Sequence, residues 1–282
     1  MGGVHLSRLE PDRRQRHLRR SVRPRLHRPV ILRALGIVRG DVVALVGAGG
    51  KTTLAYRIAS EARACGLTVL VTTTTHMGTL EEEVTGPVLV EEDSAGTLVA
   101  LGETLAREGR ATLIGRRGRP DKLEGIAPAR VDMLAPLADL VLVEADGARG
   151  RSLKVPAPHE PVIPASTTLV VVMCAMDALE QPLDEERVHR VELVRAATGV
   201  EAGEAVDEDC LATALRHQDG YPSRVPARAR AGVFLNKAED DRMLDVAARL
   251  AARLIPPYHW VAAGSARSGA VRTWPPTRRA TR

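Results

Sequence analysis

The segment Val46-Gly47-Ala48-Gly49-Gly50-Lys51-Thr52-Thr53 carries the densest set of residues able to do chemistry. Glycines let backbone N–H groups turn toward one anion, a following helix adds its positive end, and Lys51 supplies a mobile cation. Thr52 can offer its hydroxyl to Mg²⁺. The eight-residue phosphate-loop pattern asks for glycine five places before Gly50, where this chain has Leu45. The loop is therefore a compact G-x-G-G-K-T-T variant that begins its turn at Gly47, and Gly47 to Thr53 are the candidate phosphate ligands, with Lys51 also a candidate catalytic group.

Two carboxylates follow an apolar run, in Glu144-Ala145-Asp146-Gly147. A phosphate loop needs such an acid beside it to hold Mg²⁺, directly or through water. Alternation along a strand puts Glu144 and Asp146 on one side; Asp146, next to a glycine, is the first choice for the metal-side or water-orienting role and Glu144 the second. The stretch 147–161 then sets Arg149, Lys154, His159 and Glu160 among glycines and prolines, which suits sensing a γ-phosphate or holding an anionic substrate. Thr72-Thr73-Thr74-Thr75-His76 ends another apolar run. Its later members, Thr74, Thr75 and His76, are candidates for orienting water, Mg²⁺ or phosphate. Near the C-terminus, Asn236-Lys237-Ala238-Glu239 stands where GTP-binding domains carry N-K-x-D, whose acid accepts hydrogen bonds from the guanine edge. Ser265-Ala266-Arg267 resembles the S-A-[KR] loop that offers a backbone N–H to guanine O6. Glu239 is one methylene longer than the usual acid, so guanine is favoured over adenine only modestly, and the nucleotide is GTP or ATP.

These groups need strands and helices to bring them together. Val42–Val46, Thr68–Thr72, Pro87–Val90, Ala111–Ile114, Asp139–Ala145, Thr168–Met173, Ala231–Leu235 and His259–Ala263 read as strands. Helices are predicted over Lys51–Cys65, Ala95–Arg107, Ala127–Leu137, Glu185–Thr198, Asp207–His217 and Glu239–Leu254. Continuous apolar strands separated by helices indicate a mostly parallel sheet covered on both faces. The predicted fold is α/β, a three-layer phosphate-loop nucleoside triphosphate hydrolase type. The predicted nucleotide-binding domain spans 32–270 with a helical and loop insertion at about 147–230. Residues 1–31 are expected to be a disordered Arg-rich tail and 271–282 a C-terminal tail.

Composition narrows the function. The chain has 282 residues and a formal net charge of +5. Residues 1–39 hold eleven Arg against Glu10 and Asp12, a surplus of +9, so the rest carries −4. The basic balance thus belongs to the tail, and nucleic acid is not the expected partner of the body. Three Trp or Phe and three Tyr, widely scattered, do not build a base-stacking platform. Only Lys51, Lys122, Lys154 and Lys237 are lysines, which singles out each position where an ammonium is kept in an Arg-rich chain. Three distant cysteines fit a reducing cytoplasm better than a disulfide framework. No apolar stretch approaches the roughly 18–20 residues of a membrane span.

Taken together, VGAGGKTT, VTTTTHM, VEADGARGRSLKVPAPHEPVIP, MDALEQPL (Met176–Leu183) and VFLNKAED resemble the YqeC-type family of accessory proteins for selenium-dependent molybdenum hydroxylases. The likeness covers about 32–270, and the long ADG-x-RG…PAPHEPVIP block is its specific part. Two places depart from the family pattern: Ala175-Met176-Asp177 replaces Gly-Leu-Asp, and Glu239 replaces Asp. The resemblance implies a phosphate-loop nucleotide-binding fold and a protein partner, the hydroxylase or its cofactor machinery. A ligase or kinase acting on a small acid, and a non-catalytic nucleotide-binding scaffold, are the rival functions.

Overall fold

The computed structural model describes residues 30–78, 85–91, 94–117 and 122–275. In chain order the elements are α1 (Val30–Ala34), β1 (Val42–Gly47), α2 (Lys51–Ala64), β2 (Val69–Thr73), β3 (His76–Gly78) and β4 (Val88–Val90). Then come α3 (Ser94–Glu108), β5 (Arg110–Ile114), β6 (Arg116–Arg117), β7 (Lys122–Glu124), α4 (Pro128–Leu134), β8 (Leu140–Glu144), β9 (Leu153–Lys154), β10 (Leu169–Ala175) and β11 (Val188–His189). The chain closes with α5 (Val191–Thr198), α6 (Glu208–Arg216), β12 (Arg230–Asn236), α7 (Asp241–Leu254), β13 (Trp260–Gly264) and β14 (Val271–Trp274).

Nine strands form one sheet in the order β14-β13-β12-β10-β1-β8-β2-β5-β4, parallel throughout except for the β13–β14 pair. Both faces are covered. Along β1, Val43 and Leu45 face α1 and α2 with Ile31, Leu54 and Ile58. Val42, Ala44 and Val46 face the opposite layer with Leu101, Leu250 and Leu254. This is why the strand reads as an unbroken apolar run and not as an alternation. The central position of β1, between β10 and β8, puts the phosphate loop, the two carboxylates and Asn236 at one carboxyl edge, where ligands bind in open parallel sheets.

Several boundaries differ from the sequence reading. The sheet continues past 270, because Val271–Trp274 pairs with β13; a four-residue strand with Arg272 and Thr273 between its two apolar ends offers no apolar run to detect. At the other end, the helix α1 is docked, not part of a tail: Ile31 and Leu32 are buried, and their N–H groups donate to the buried Glu61 of α2 at 2.8 and 3.1 Å. The expected disorder of the Arg-rich tail falls on residues 1–29, outside the described residues. The stretch 147–230 is not one insertion, because β10 runs through it as a central strand. The helix expected from Glu185 begins at Val191, after β11. Asp240 caps α7 by accepting from Met243 N–H at 2.7 Å, so that helix starts two residues later than expected.

Candidate phosphate-loop site

Gly47, Gly49 and Gly50 have φ of 92°, 86° and 111°, the left-handed region that glycine enters without a Cβ clash. Space demands glycine as well. A Cβ on Gly47 would lie 2.2 Å from Met173 O, and one on Gly49 2.3 Å from Ala175 Cβ. The loop is fastened to β10 by Ala48 N–H donating to Met173 O (2.8 Å) and to β12 by Asn236 Nδ2 donating to Gly49 O (2.7 Å). Helix α2 starts at once, with no side chain capping its N-terminus, and Leu54 N–H donates to Gly50 O (3.0 Å). The preceding amides are thus left for an anion, and Gly49 to Thr53 line one side of a cleft of about 990 Å³.

The two carboxylates divide their work. Asp146 is fully buried and receives Gly47 N–H on both oxygens (3.1 and 3.0 Å), Lys51 Nζ (3.2 Å), Lys154 Nζ (3.1 Å) and Tyr221 O–H (3.1 Å). Four donor groups, one of them shared between the two oxygens, occupy the roughly four lone-pair positions of a carboxylate. Asp146 therefore braces the loop from beneath and does not face the cleft. Glu144 does line the cleft, and its Oε2 accepts the Thr52 hydroxyl at 2.7 Å, with Lys51 Nζ 4.0 Å from Oε1. Burial pushes the Glu144 carboxyl up against the opposing pull of Lys51 and Thr52. The Thr52–Glu144 pair supplies two hard oxygens beside the helix N-terminus, a donor set suited to Mg²⁺. Lys51 itself folds back on Gly47 O (2.6 Å).

Lys154, expected to face a substrate, is instead enclosed: its side chain is 0% exposed and its Nζ meets Asp146, Gly147 O (2.6 Å) and Glu160 Oε2 (2.9 Å). Glu160 in turn holds Arg190, NH1 to Oε2 at 2.5 Å and NH2 to Oε1 at 3.4 Å. Burial raises the Glu160 carboxyl, but Lys154 and Arg190 outweigh it and hold it at about 2. Arg149, Arg151, His159, His189 and Arg190 join Glu160 on the cleft wall. The His189 imidazole is pushed down to about 4, by burial first and then by the charges of Lys154 and Arg190, and is neutral at pH 7.

The threonine run is mostly structural. Thr72, Thr73 and Thr74 donate their hydroxyls to the carbonyls of Leu113 (2.8 Å), Glu144 (2.9 Å) and Val162 (2.6 Å). Thr74 thus ties β2 to the loop after Asp146, and only Thr75 and His76 of the expected trio line the cleft. On the base side, Asn236 is buried between Gly49 O and Ala266, whose N–H donates to Asn236 Oδ1 at 2.9 Å. Lys237, at φ 61°, pairs with Asp177 at 2.6 Å. Glu239 and Ser265 line a separate cavity of about 370 Å³.

The family model described as "YqeC protein" matches residues 43–192. The uncharacterized YqeC protein of Escherichia coli (strain K12) is 33% identical over 201 residues, 71% of this chain and 77% of its own. The chain belongs to the YqeC family. Among solved structures, the signal recognition particle receptor FtsY from Elizabethkingia anophelis aligns over 82% of this chain and about half (52%) of its own, at 16% identity and a TM-score of 0.28. That likeness is too remote to bear on the site.

The matched YqeC span takes in the phosphate loop, both carboxylates and the whole ladder from Lys154 through Glu160 to Arg190, and stops short of Tyr221, Asn236 and Glu239. Four participants escaped the sequence reading. His189 and Arg190 belong to no local motif; Tyr221 lies 75 residues from its partner Asp146; Asp177 meets Lys237 and Arg187 only across the fold. The one available signal was Met176-Asp177, inside a block already quoted for its likeness to the YqeC pattern. Among the described residues no helix is long and apolar enough to cross a membrane.

Proposed function

We propose that this YqeC-family protein binds a nucleoside triphosphate with Mg²⁺ and turns over its terminal phosphate. One observation carries the reading: an uncapped helix N-terminus, a loop in which Gly47 and Gly49 have no room for a side chain, Lys51 and the Thr52–Glu144 pair all open on one 990 Å³ cleft. In this reading the amides of residues 49–53 receive the β- and γ-phosphates, and Lys51 leaves Gly47 O to join them. Thr52 and Glu144 hold Mg²⁺, which supplies charge neutralisation at the phosphates. The metal-side role first expected of Asp146 passes to Glu144, since Asp146 has no lone pair to spare. Asp146 keeps the loop's first amide in place, and Asn236 ties the loop to the Ser265–Ala266 turn on the base side. The remote Glu239 supports only a loose choice between GTP and ATP.

The resemblance of the YqeC-specific blocks supports a finer reading, in which nucleotide turnover serves maturation of a selenium-dependent molybdenum hydroxylase. Calorimetry with Mg–GTP and Mg–ATP tests the core of the proposal. Lys51→Ala is expected to lower affinity at least tenfold, and Glu144→Gln to remove the Mg²⁺ dependence of binding. Undiminished binding by Lys51→Ala refutes the phosphate-loop reading. For the finer one, a deletion strain should accumulate hydroxylase lacking its mature cofactor; full hydroxylase activity in that strain refutes it.

A further inference from the structure

The proposed function places only the phosphate end of a nucleotide in the large cleft, because Glu239 and Ser265 line a different cavity. At about 990 Å³ the cleft has the volume of a whole drug-sized ligand site. Three phosphate groups leave most of it for something else.

The wall beyond the phosphate loop indicates what. Arg149, Arg151 and Arg190 line it. Arg190 is neutralised by its paired contacts with Glu160. Arg149 and Arg151 have no ion-pair partner among the described residues, so two guanidinium charges face the cleft uncompensated. Arg149 and Arg190 hold φ of 49° and 59°. Non-glycine residues adopt that region at a cost, and such strain clusters where a side chain must be aimed. The wall is also fixed relative to the phosphate loop. Glu160 sits on the enclosed Lys154, and Lys154 sits on Asp146, the residue that braces Gly47. His159 and the neutral His189 add ring nitrogens beside the arginines.

We propose that the Arg149–Arg151 wall is a second anion site, which takes a small molecule bearing a phosphate monoester while the nucleotide occupies the phosphate loop. A phosphate monoester carries close to two negative charges at pH 7 and accepts forked hydrogen bonds from guanidinium groups, which matches two uncompensated arginines. The proposal deepens the nucleotide reading by assigning its second substrate, and it rests on that reading only for the order in which the cleft fills.

The full chain is titrated with glycerol 3-phosphate and with inorganic phosphate, first alone and then with saturating Mg–nucleotide. Glycerol 3-phosphate is expected to bind in both conditions. Arg149→Ala combined with Arg151→Ala should weaken it at least tenfold and leave nucleotide affinity within twofold. Arg149→Lys with Arg151→Lys, which keeps the charge, should recover part of the loss. Four results overturn the assignment: no binding by the wild type, displacement of the ester by nucleotide, equal loss of ester and nucleotide in the double variant, or tighter binding of inorganic phosphate than of the ester. Ester binding without nucleotide binding would refute the nucleotide reading and leave this one standing; nucleotide binding without ester does the reverse.

Discussion

Replacing Gly49 by alanine separates two reasons for a glycine that are usually merged. Its φ is 86°, and Gly203, in an unrelated turn, has φ 87°. The backbone cost of a Cβ in the left-handed region, about 1–2 kcal/mol, is therefore common to both sites. The surroundings are not common. At Gly203 a Cβ meets nothing within 4 Å. At Gly49 it would lie 2.3 Å from Ala175 Cβ, 2.7 Å from Ala175 N and 3.0 Å from Ala175 Cα. Ala175 ends β10 in the middle of the sheet, so neither backbone can step aside cheaply. Overpacking of this kind costs about 1–3 kcal/mol more. Gly203→Ala is thus expected to lower stability by about 1–2 kcal/mol and Gly49→Ala by about 2–5 kcal/mol. For a domain of this size the difference is about 2–12 °C in Tm between the two variants. Thermal unfolding measures it, and nucleotide titration adds a second readout. If the loop escapes the clash by lifting off β10, stability recovers but the amides of residues 49–53 lose their shared aim, so binding falls at least tenfold. A Gly49→Ala variant matching Gly203→Ala in Tm, with nucleotide affinity intact, would refute the argument that β10 forces the loop's shape.

Three further outcomes follow from the buried charges. Lys154→Met removes the cation between Asp146 and Glu160, and breaking a buried pair in this way costs about 3–5 kcal/mol; urea unfolding at pH 7 should show it, and a loss below 1 kcal/mol would count against the ladder. Glu160 is held near 2, so its contribution is complete above the ordinary carboxylate value and disappears as pH falls toward 2. The stability gap between wild type and Glu160→Gln should accordingly shrink between pH 5 and pH 2.5, and a constant gap would contradict the cause given for the shift. Tyr221→Phe deletes one of four donors to Asp146 without opening a cavity and should cost about 1.5–3 kcal/mol by the same assay, with no change in nucleotide affinity beyond twofold.

What could be read directly from the sequence follows a physical rule. The central strands were legible because burial on both faces leaves unbroken apolar runs, and the phosphate loop because positive φ at three close positions demands glycine. The carboxylates were half legible. Alternation placed Glu144 and Asp146 on one side, but which of them faces the cleft depends on donors at Gly47, Lys51, Lys154 and Tyr221, none of them within four residues of Asp146. Thr74 looked like a ligand by its type and proved to be a tie to Val162, since a hydroxyl serves a backbone carbonyl as readily as a phosphate. Arg190 had no signal at all, because its importance lies in Glu160 across the fold.

The scarcity of lysine singled out position 154 but misled about its role. At position 154 the ammonium has three donors and finds three acceptors, Gly147 O, Glu160 Oε2 and Asp146 Oδ2, at 2.6, 2.9 and 3.1 Å. A guanidinium brings five donors in a rigid plane and a larger head. In a site with 0% exposure its surplus N–H groups would be buried unpaired, each at a cost of about 1–3 kcal/mol. Lys51 faces a related limit from the other direction: it rests on Gly47 O at 2.6 Å, and under the proposed function it reaches out from there along a flexible stem to phosphate. A compact charge on a mobile chain suits one lysine and a compact charge in a closed box suits the other. Arginine, which the chain uses nearly everywhere else, meets neither requirement.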